Sequence, residues 1–167
     1  AVFDIQKLRW MNGEYIKKIP QAEFKALRKE KVKVGGEGEE WWDYLCAQVQ
    51  PRTKFLNDLD TSCAYLASED YPFDEKAVAK RLQKDGVKAT LLDLVERFAK
   101  VDDWTAPVLE EMVKGLSQGQ GMGPWVHPIR VAVSGRGEGI GLFEMLQLLG
   151  REKTLARLKS AAEKYCP

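Results

Sequence analysis

Hydrophobic residues recur at steps of three and four along most of the chain, which places them on one face of an α-helix. The first such run starts at Asp4, whose carboxylate can cap a helix, and ends at Pro20, which breaks it. Further runs with the same period lie at 21–29, 41–49, 56–68, 91–98, 109–116, 142–149 and 155–165, and another begins at Asp74. The pattern therefore predicts a succession of short amphipathic helices.

Only the segment 129–133, Ile-Arg-Val-Ala-Val, has a composition typical of a strand. A single short strand without a partner is unstable, and Pro128 suits the first turn of a helix, so we predict a helix here as well. The chain is then all-α, and helices this short must pack together as a compact multihelical array.

Glycine-rich stretches mark the breaks in this helical pattern. The sequence Gly35-Gly36-Glu37-Gly38 predicts a loop. The stretch 118–123 predicts a linker between a first helical subdomain, 1–117, and a small C-terminal helical subdomain, 124–167. We therefore expect two small α-helical subdomains.

A third glycine-rich stretch, Gly135 to Gly141, looks at first like a phosphate-binding loop. It lacks the strand before it that the dinucleotide-binding motif requires, and it lacks the Gly-Lys-Ser/Thr ending of a P-loop. We interpret it as a flexible loop that lets the backbone approach another group closely, with Arg136 pointing outward.

Composition places the chain among soluble globular proteins, because 44% of its 167 residues are hydrophobic and 31% are charged. No apolar run approaches the roughly 20 residues of a membrane span, so we expect no membrane association. The first residues, Ala1 to Asp4, are not a signal peptide and contain no Met, which indicates a piece of a longer chain.

The net charge of +1 hides an uneven distribution. Residues 1–34 carry a net charge of +5 and residues 125–167 a net charge of +3, whereas residues 35–124 carry −7. Basic ends attract an anionic polymer and an acidic middle limits promiscuous binding, although solvated helix faces give the same pattern.

Cysteine and histidine provide no sign of a metal site or of a catalytic site. Cys46, Cys63 and Cys166 form no Cys-x-x-Cys pair, and His127 is the sole histidine, so the ligand spacings of a zinc site are missing. No nucleophile elbow accompanies His127. Three unpaired thiols fit a reducing compartment, and we expect a cytoplasmic protein.

Several motifs, in order along the chain, resemble those of bacterial-type glutamyl-tRNA synthetases. Phe3 to Ile16 resembles the segment where these enzymes leave their catalytic half, and Arg52-Thr53-Lys54-Phe55-Leu56 resembles the Arg-x-Lys-x-Leu stretch of their helical domain. Asp102-Asp103-Trp104-Thr105 resembles another family landmark. The segments 128–135, 141–144 and 148–152 closely resemble the C-terminal signature of the family.

The resemblance implies a class I aminoacyl-tRNA synthetase, which joins glutamate to its tRNA with ATP and Mg²⁺. The two ATP-handling signatures of the catalytic half do not occur in this sequence. The resemblance therefore implies the C-terminal anticodon-binding region alone, without catalytic residues and without a cofactor of its own. The implied partners are tRNA-Glu and the catalytic domain of the same synthetase, and we expect a monomer. The alternative is a helical protein-interaction module that does not bind RNA.

Four residues match positions that the family uses at the anticodon. Arg130 can present a bidentate fork to a base edge, and Leu142 offers an apolar face at a helix start. Gly139 departs from the family pattern, which places a Thr there, so a backbone contact would replace the hydroxyl. Arg52 matches the arginine that the family uses at the third anticodon base, which would make the synthetase discriminate against the glutamine anticodon.

Both arginines have a simpler interpretation. Arg130 could instead form a structural pair with Glu138 or Glu144, and Arg52 could be a solvated side chain after Pro51.

Basic residues outside these motifs would bind phosphates, which adds affinity without sequence information. The expected phosphate-binding residues are Lys7, Arg9, Lys17, Lys18, Lys54 and Arg136. Four tryptophans fall on helical stripes, so core packing is expected of them rather than base stacking: Trp10, Trp41, Trp42 and Trp104.

Overall fold

The computed structural model describes residues 2–32 and 38–167, and within these ranges the regular structure is helical without any strand. The chain divides into two compact units, Ala1–Glu69 and Asp70–Pro167. The first contains α1 (Ile5–Lys18), α2 (Gln21–Lys31), α3 (Glu39–Val49), a 3-10 turn (Gln50–Arg52), α4 (Asp58–Ser62) and α5 (Ala64–Ala67). The second contains α6 (Glu75–Arg81), α7 (Val87–Phe98), α8 (Ala106–Ser117), α9 (Gly123–Ser134), α10 (Leu142–Leu149) and α11 (Arg151–Lys164).

The first unit is built on the packing of α2 against α3 and of α1 against the 3-10 turn. Phe24 and Leu45 are fully buried at its centre. Asp4 caps α1 as the sequence predicts, since its carboxylate accepts hydrogen bonds from the amides of Gln6 and Lys7. At the other end of α1, the side chain of Gln50 donates to the carbonyls of Ile16 and Ile19, at 2.9 and 2.8 Å.

The second unit is organised around α11, which packs along α7 and α9, while α8 packs on α10. Its core consists mainly of fully buried Leu, Ile and Phe side chains, including Leu91, Leu94, Phe98, Leu109, Ile129, Leu146 and Leu158. The predicted motif around Trp104 joins two helices here. Its indole N–H donates to the carbonyl of Leu146 at 2.8 Å, and the side chain of Gln147 accepts from the amide of Ala106 at 2.7 Å.

The segment that enters the second unit lies directly against the end of α9. Gly135 ends this helix with φ +72°, and a Cβ at this position would lie 2.3 Å from the carbonyl oxygen of Pro72. The amide of Asp74 donates to the carbonyl of Gly135 at 2.8 Å, and the hydroxyl of Tyr71 donates to the carbonyl of Ala132 at 3.0 Å. Glycine is therefore required here for both the positive φ and the close approach.

The prediction that the chain is all-α is confirmed, including the helix over 129–133. Pro128, however, lies inside α9 and not in its first turn, because the helix starts earlier, at Gly123. The proline of the first turn is Pro124. The single helix predicted over 56–68 is wrong: α4 and α5 are separated at Cys63, whose φ and ψ of −121° and 11° are not helical.

The boundary predicted between the subdomains does not coincide with the boundary between the compact units. The predicted linker 118–123 connects α8 to α9 within the second unit, and α8 packs on α10, which follows that linker. The units divide instead between Glu69 and Asp70. The division into 1–117 and 124–167 as anticodon-binding subdomains stays a prediction. The loop predicted at 35–38 lies outside the described residues except for Gly38.

Candidate nucleic-acid interface

Arg130 lies on α9, half-buried, and is tied to the glycine-rich loop that follows. Its Nη1 donates to the carbonyl of Ile140 at 2.7 Å, while the hydroxyl of Ser134 donates to the carbonyl of Arg130, also at 2.7 Å. Gly135 then ends the helix, and the chain turns back over residues 136–141. The guanidinium is thus held in one place by a main-chain acceptor on the returning loop.

Gly139 and Leu142 differ in how they relate to Arg130. Gly139 has φ +150°, and a Cβ built on it would lie 3.7 Å from Nη1 of Arg130, so its backbone is next to the guanidinium. Leu142 opens α10, but its side chain is only 4% exposed and packs in the core. The structure therefore brings Arg130 and Gly139 together, whereas Leu142 offers little apolar surface to a base.

Arg52 belongs to the first unit and is exposed at the end of the 3-10 turn. Its Nη1 donates to the carbonyl of Gln48 at 2.8 Å, which directs the guanidinium back along α3. Lys54, two residues later, is half-buried and its side chain lies against α1. A Cβ built on Gly13 would be 2.8 Å from Cδ of Lys54. Its carbonyl accepts a hydrogen bond from the side chain of Asn12.

The predicted phosphate-binding residues do not form one uniform strip. Lys7 and Arg9 are exposed on α1, with the Arg9 guanidinium 5.8 Å from the ring centre of Phe55. Lys17 is paired with Glu14 at 2.7 Å, which lowers the pKa of the Glu14 carboxyl through hydrogen bonding and charge. Arg136 belongs to the second unit and is half-buried, with its amide donating to the hydroxyl of Ser134 at 3.2 Å.

Core packing holds for some of the tryptophans and not for Trp10. Trp42 is buried with its ring edge-on to Trp41, and Trp104 is edge-on to Phe98. Trp10 is 61% exposed, so the expectation of core packing is wrong for it. The reason is that α1 contacts the remainder of the first unit through Gly13 and Ile16 in its C-terminal half, whereas residues 5–11 are all exposed.

A basic pocket on the second unit was not found from the sequence. Lys80, Arg81 and Lys84 line it together with His127, and its volume is about 530 Å³. The available signal was the segment 76–88, which carries five Lys/Arg and one Asp inside a stretch that is acidic overall. Averaging the charge over residues 35–124 concealed this segment.

The three cysteines are buried and free, and burial raises the pKa of the Cys46 thiol. In the described ranges, no group of three or more His, Cys, Asp or Glu residues could hold a metal ion. Nor does any helix of those ranges have the length and apolar character needed to cross a membrane.

Comparison with known proteins places this arrangement in a family. The profile of the family described as "Anticodon binding domain" matches residues 5–162. A glutamate–tRNA ligase of Thermus thermophilus is 38% identical over 166 residues, covering 96% of this chain and 35% of that protein. A glutamate–tRNA ligase of Moorella thermoacetica is 33% identical over 177 residues, covering 97% and 35%.

Solved structures of the same class share the fold. A glutamate–tRNA ligase from Elizabethkingia meningosepticum, crystallised with its amino acid, superposes with a TM-score of 0.82 at 23% identity over 99% of this chain and 33% of that one. The synthetase of Elizabethkingia anophelis gives a TM-score of 0.76 at 25% identity, over 98% of this chain and 32% of that one.

The fold is thus that of the helical part of a synthetase, and the chain belongs to the anticodon-binding domain family. It spans about 35% of the length of the curated glutamate–tRNA ligases that it matches.

Proposed function

We propose that this chain binds the anticodon region of tRNA-Glu as the non-catalytic part of a cytoplasmic glutamate–tRNA ligase. The observation that carries the proposal is the profile match over residues 5–162, because it covers Arg52 and Arg130 together with the helices that hold them. In this proposal, ligation of glutamate, together with ATP and Mg²⁺, belongs to the remainder of a longer, monomeric enzyme.

Arg130 is the residue we assign to base recognition. Reading a base edge requires a planar donor fork whose position is fixed before the base arrives. The hydrogen bond from Nη1 to Ile140 fixes the guanidinium, and Gly139 beside it has no side chain to obstruct a base. Unstacked loop bases are the usual targets of such sequence-specific RNA recognition.

The test is binding of the anticodon stem-loop of tRNA-Glu, measured by fluorescence anisotropy. We expect Arg130→Ala to weaken binding by about 1–3 kcal/mol, the range for a bidentate base contact. Arg130→Lys keeps the charge without the fork and should lose nearly as much. The matched control is Arg97→Ala, which removes an exposed arginine of the same unit.

Dependence on the anticodon separates a reading role from a structural one. The loss caused by Arg130→Ala should shrink when the anticodon is replaced, because the wild type then lacks the base contact too. A variant that only melts earlier, with unchanged affinity at a temperature where it is folded, would show that Arg130 is structural. Failure of the wild type to bind any stem-loop at low salt would favour a protein-interaction module.

Arg52 is assigned to discrimination at the third anticodon base, where glutamate and glutamine tRNAs differ. Its guanidinium is anchored on Gln48, and Pro51 restricts the backbone before it. In the intact enzyme, Arg52→Gln should narrow the preference for tRNA-Glu over tRNA-Gln, mostly by loss of tRNA-Glu charging. Equal charging of both tRNAs by the wild type would contradict this role.

The exposed apolar surface of α1 is the place where we expect the rest of the synthetase to pack. Leu8, Met11 and Tyr15 recur at three- and four-residue steps and are all exposed, Tyr15 by 66%. Large apolar side chains grouped on one surface mark an interface more often than a free surface. The chain covers only about a third of its relatives, so the catalytic part supplies the partner.

A further inference from the structure

We propose that the basic pocket between α6, α7 and α9 binds a phosphate group of the tRNA backbone, outside the anticodon bases. We call it the α6–α9 pocket, and the residues that define it are Lys80, Arg81, Lys84, Asp85, Thr90 and His127. This inference rests on the proposed function, since it presumes that tRNA is the ligand. It adds a site that the family motifs do not include.

The charge of the pocket is the first argument. Three cationic side chains and one carboxylate, that of Asp85, face one cavity of about 530 Å³. Among the described residues, neither Lys80 nor Lys84 nor Arg81 forms an ion pair with a carboxylate. Asp85 is the single carboxylate among the lining residues, so positive charge is in excess in the cavity and a bound anion would balance it.

The environment of His127 is consistent with the positive potential of these cations. Partial burial lowers the pKa of this histidine, and the charges of Arg81, Arg130 and Lys80 lower it further. These charges come from α6 on one side and from α9 itself on the other. These effects favour the neutral imidazole, whereas an anion in the pocket would favour its protonated form.

The start of α7 adds to the same potential. Gly86, at φ +81°, precedes the helix, no side chain caps it, and Gly86 and Val87 both border the pocket. The amides of Val87 and Thr90 donate to the carbonyls of Lys84 and Gly86, at 3.2 and 3.0 Å, so the terminus of this 12-residue helix contributes its partial positive charge rather than free donors. The cations and the helix terminus thus favour the same ligand chemistry.

Proximity to Arg130 selects an RNA phosphate as that anion. His127 and Arg130 are three residues apart on α9, so they are neighbours on the helix surface. An RNA whose loop bases reach Arg130 must carry its backbone across the adjoining surface of the same unit. Phosphate contacts fix the register of such an RNA without reading its sequence.

A pair of matched double variants tests the pocket. Lys80→Ala with Lys84→Ala removes two charges from it, and Lys153→Ala with Lys159→Ala removes two exposed charges from α11 of the same unit. We expect the pocket variant to bind the anticodon stem-loop of tRNA-Glu about 3- to 10-fold more weakly than the control. The slope of log K against log salt concentration should become less steep by roughly 0.7 for each RNA phosphate that the variant no longer binds.

The weakening must be the same for RNAs with different anticodons, because the backbone is common to all of them. If the pocket variant matches the α11 variant in affinity and in salt dependence, the proposal is wrong. In that case anticodon-dependent weakening in Arg130→Ala would still support the proposed function. A wild-type chain that binds no stem-loop overturns both.

His127 gives a direct readout because it is the sole histidine of the chain. Imidazole resonances followed by NMR against pH should show its pKa rising when saturating stem-loop RNA is added, and the double pocket variant should remove most of that rise. Inorganic phosphate alone should raise it only at far higher concentration. An unchanged His127 titration with bound RNA would overturn the proposal.

Discussion

The two units differ in how completely they bury their large apolar side chains. Among the described residues, the first unit exposes seven of them, all between Val2 and Tyr15 on or next to α1. The second unit, which is longer, exposes only Leu92 and Val108. Isolated apolar residues on a surface are ordinary, but seven within one short segment form the kind of surface that the proposed contact with the rest of the synthetase requires.

The two units also differ in how their buried arginines are hydrogen-bonded. Arg157 of the second unit is 4% exposed, donates from Nη1 to the carbonyl of Val133 at 2.8 Å, and lies 4.3 Å from the ring centre of Tyr71. Arg28 of the first unit is fully buried, and its guanidinium nitrogens have no hydrogen-bond partner among the described residues. Among the described residues, the second unit leaves one buried guanidinium nitrogen without a partner, Nε of Arg151, whereas all three guanidinium nitrogens of Arg28 lack one, so its burial is the more costly.

The largest expected effect comes from the core of the better-satisfied unit. Phe98 is fully buried and edge-on to Trp104, so Phe98→Ala should lower the free energy of unfolding by about 3–5 kcal/mol. Urea denaturation followed by circular dichroism measures it. Val108→Ala, at an exposed site of the same unit, is the control and should change little.

Next in size is Arg157→Met, which fills the same space without a donor. It leaves the buried carbonyl of Val133 without the Arg157 donor and removes the contact with Tyr71, and a destabilisation of about 1–3 kcal/mol follows. Hydrogen exchange at the end of α9 should increase at the same time. Unchanged stability would mean that the polar contacts of Arg157 contribute nothing net.

Arg28→Met should have the opposite sign. Removing a buried guanidinium that has no acceptor among the described residues should raise the free energy of unfolding by about 1 kcal/mol or more. Thermal melting of Arg28→Met and Arg157→Met side by side measures the contrast between the units. If Arg28→Met lowers the free energy of unfolding as Arg157→Met does, the two units do not differ in the cost of burying arginine.

Polar replacement on α1 should be nearly neutral in this chain and damaging in the intact synthetase. Trp10→Ser removes a side chain that is 61% exposed, so the free energy of unfolding should change by less than about 0.5 kcal/mol. In the longer enzyme the same change should lower the melting temperature, because the side chain is then covered. Equal, small effects in both would argue against α1 as the contact surface.

The smallest expected effect is on the dependence of stability on pH. The pKa of His127 lies below its usual value of about 6.5, so the unfolded chain binds a proton before the folded chain does. Stability attributable to this group is present above about pH 6.5 and is lost as the pH falls through that value toward the lower pKa of the folded state. His127→Gln should melt with a slightly weaker pH dependence over that interval, and identical profiles would contradict the assignment.

Helical periodicity predicted the fold class well because each helix carries its own apolar stripe, as over 142–149. The break at Cys63 was missed because no Gly or Pro marks it. Trp10 was misplaced because a stripe identifies a helix but not which part of that helix meets the core. The position of Arg130 followed from a local motif and stays a prediction as a site.

The α6–α9 pocket could not be predicted because His127 follows Lys80 by more than forty positions and only the packing of α6 on α9 brings them together.

The contact between Gly135 and Pro72 also decides where this chain can be shortened. A polypeptide that starts at Asp70 keeps Tyr71 and Asp74, the two donors that occupy the carbonyls at the end of α9. One that starts at Glu75 loses both donors, so the carbonyls of Ala132 and Gly135 must bond to solvent instead. It also loses the ring of Phe73, whose centre lies 4.6 Å from that of Tyr165. We therefore expect a second unit that starts at Asp70 to be more stable than one that starts at Glu75, although the five residues between them lie outside any helix.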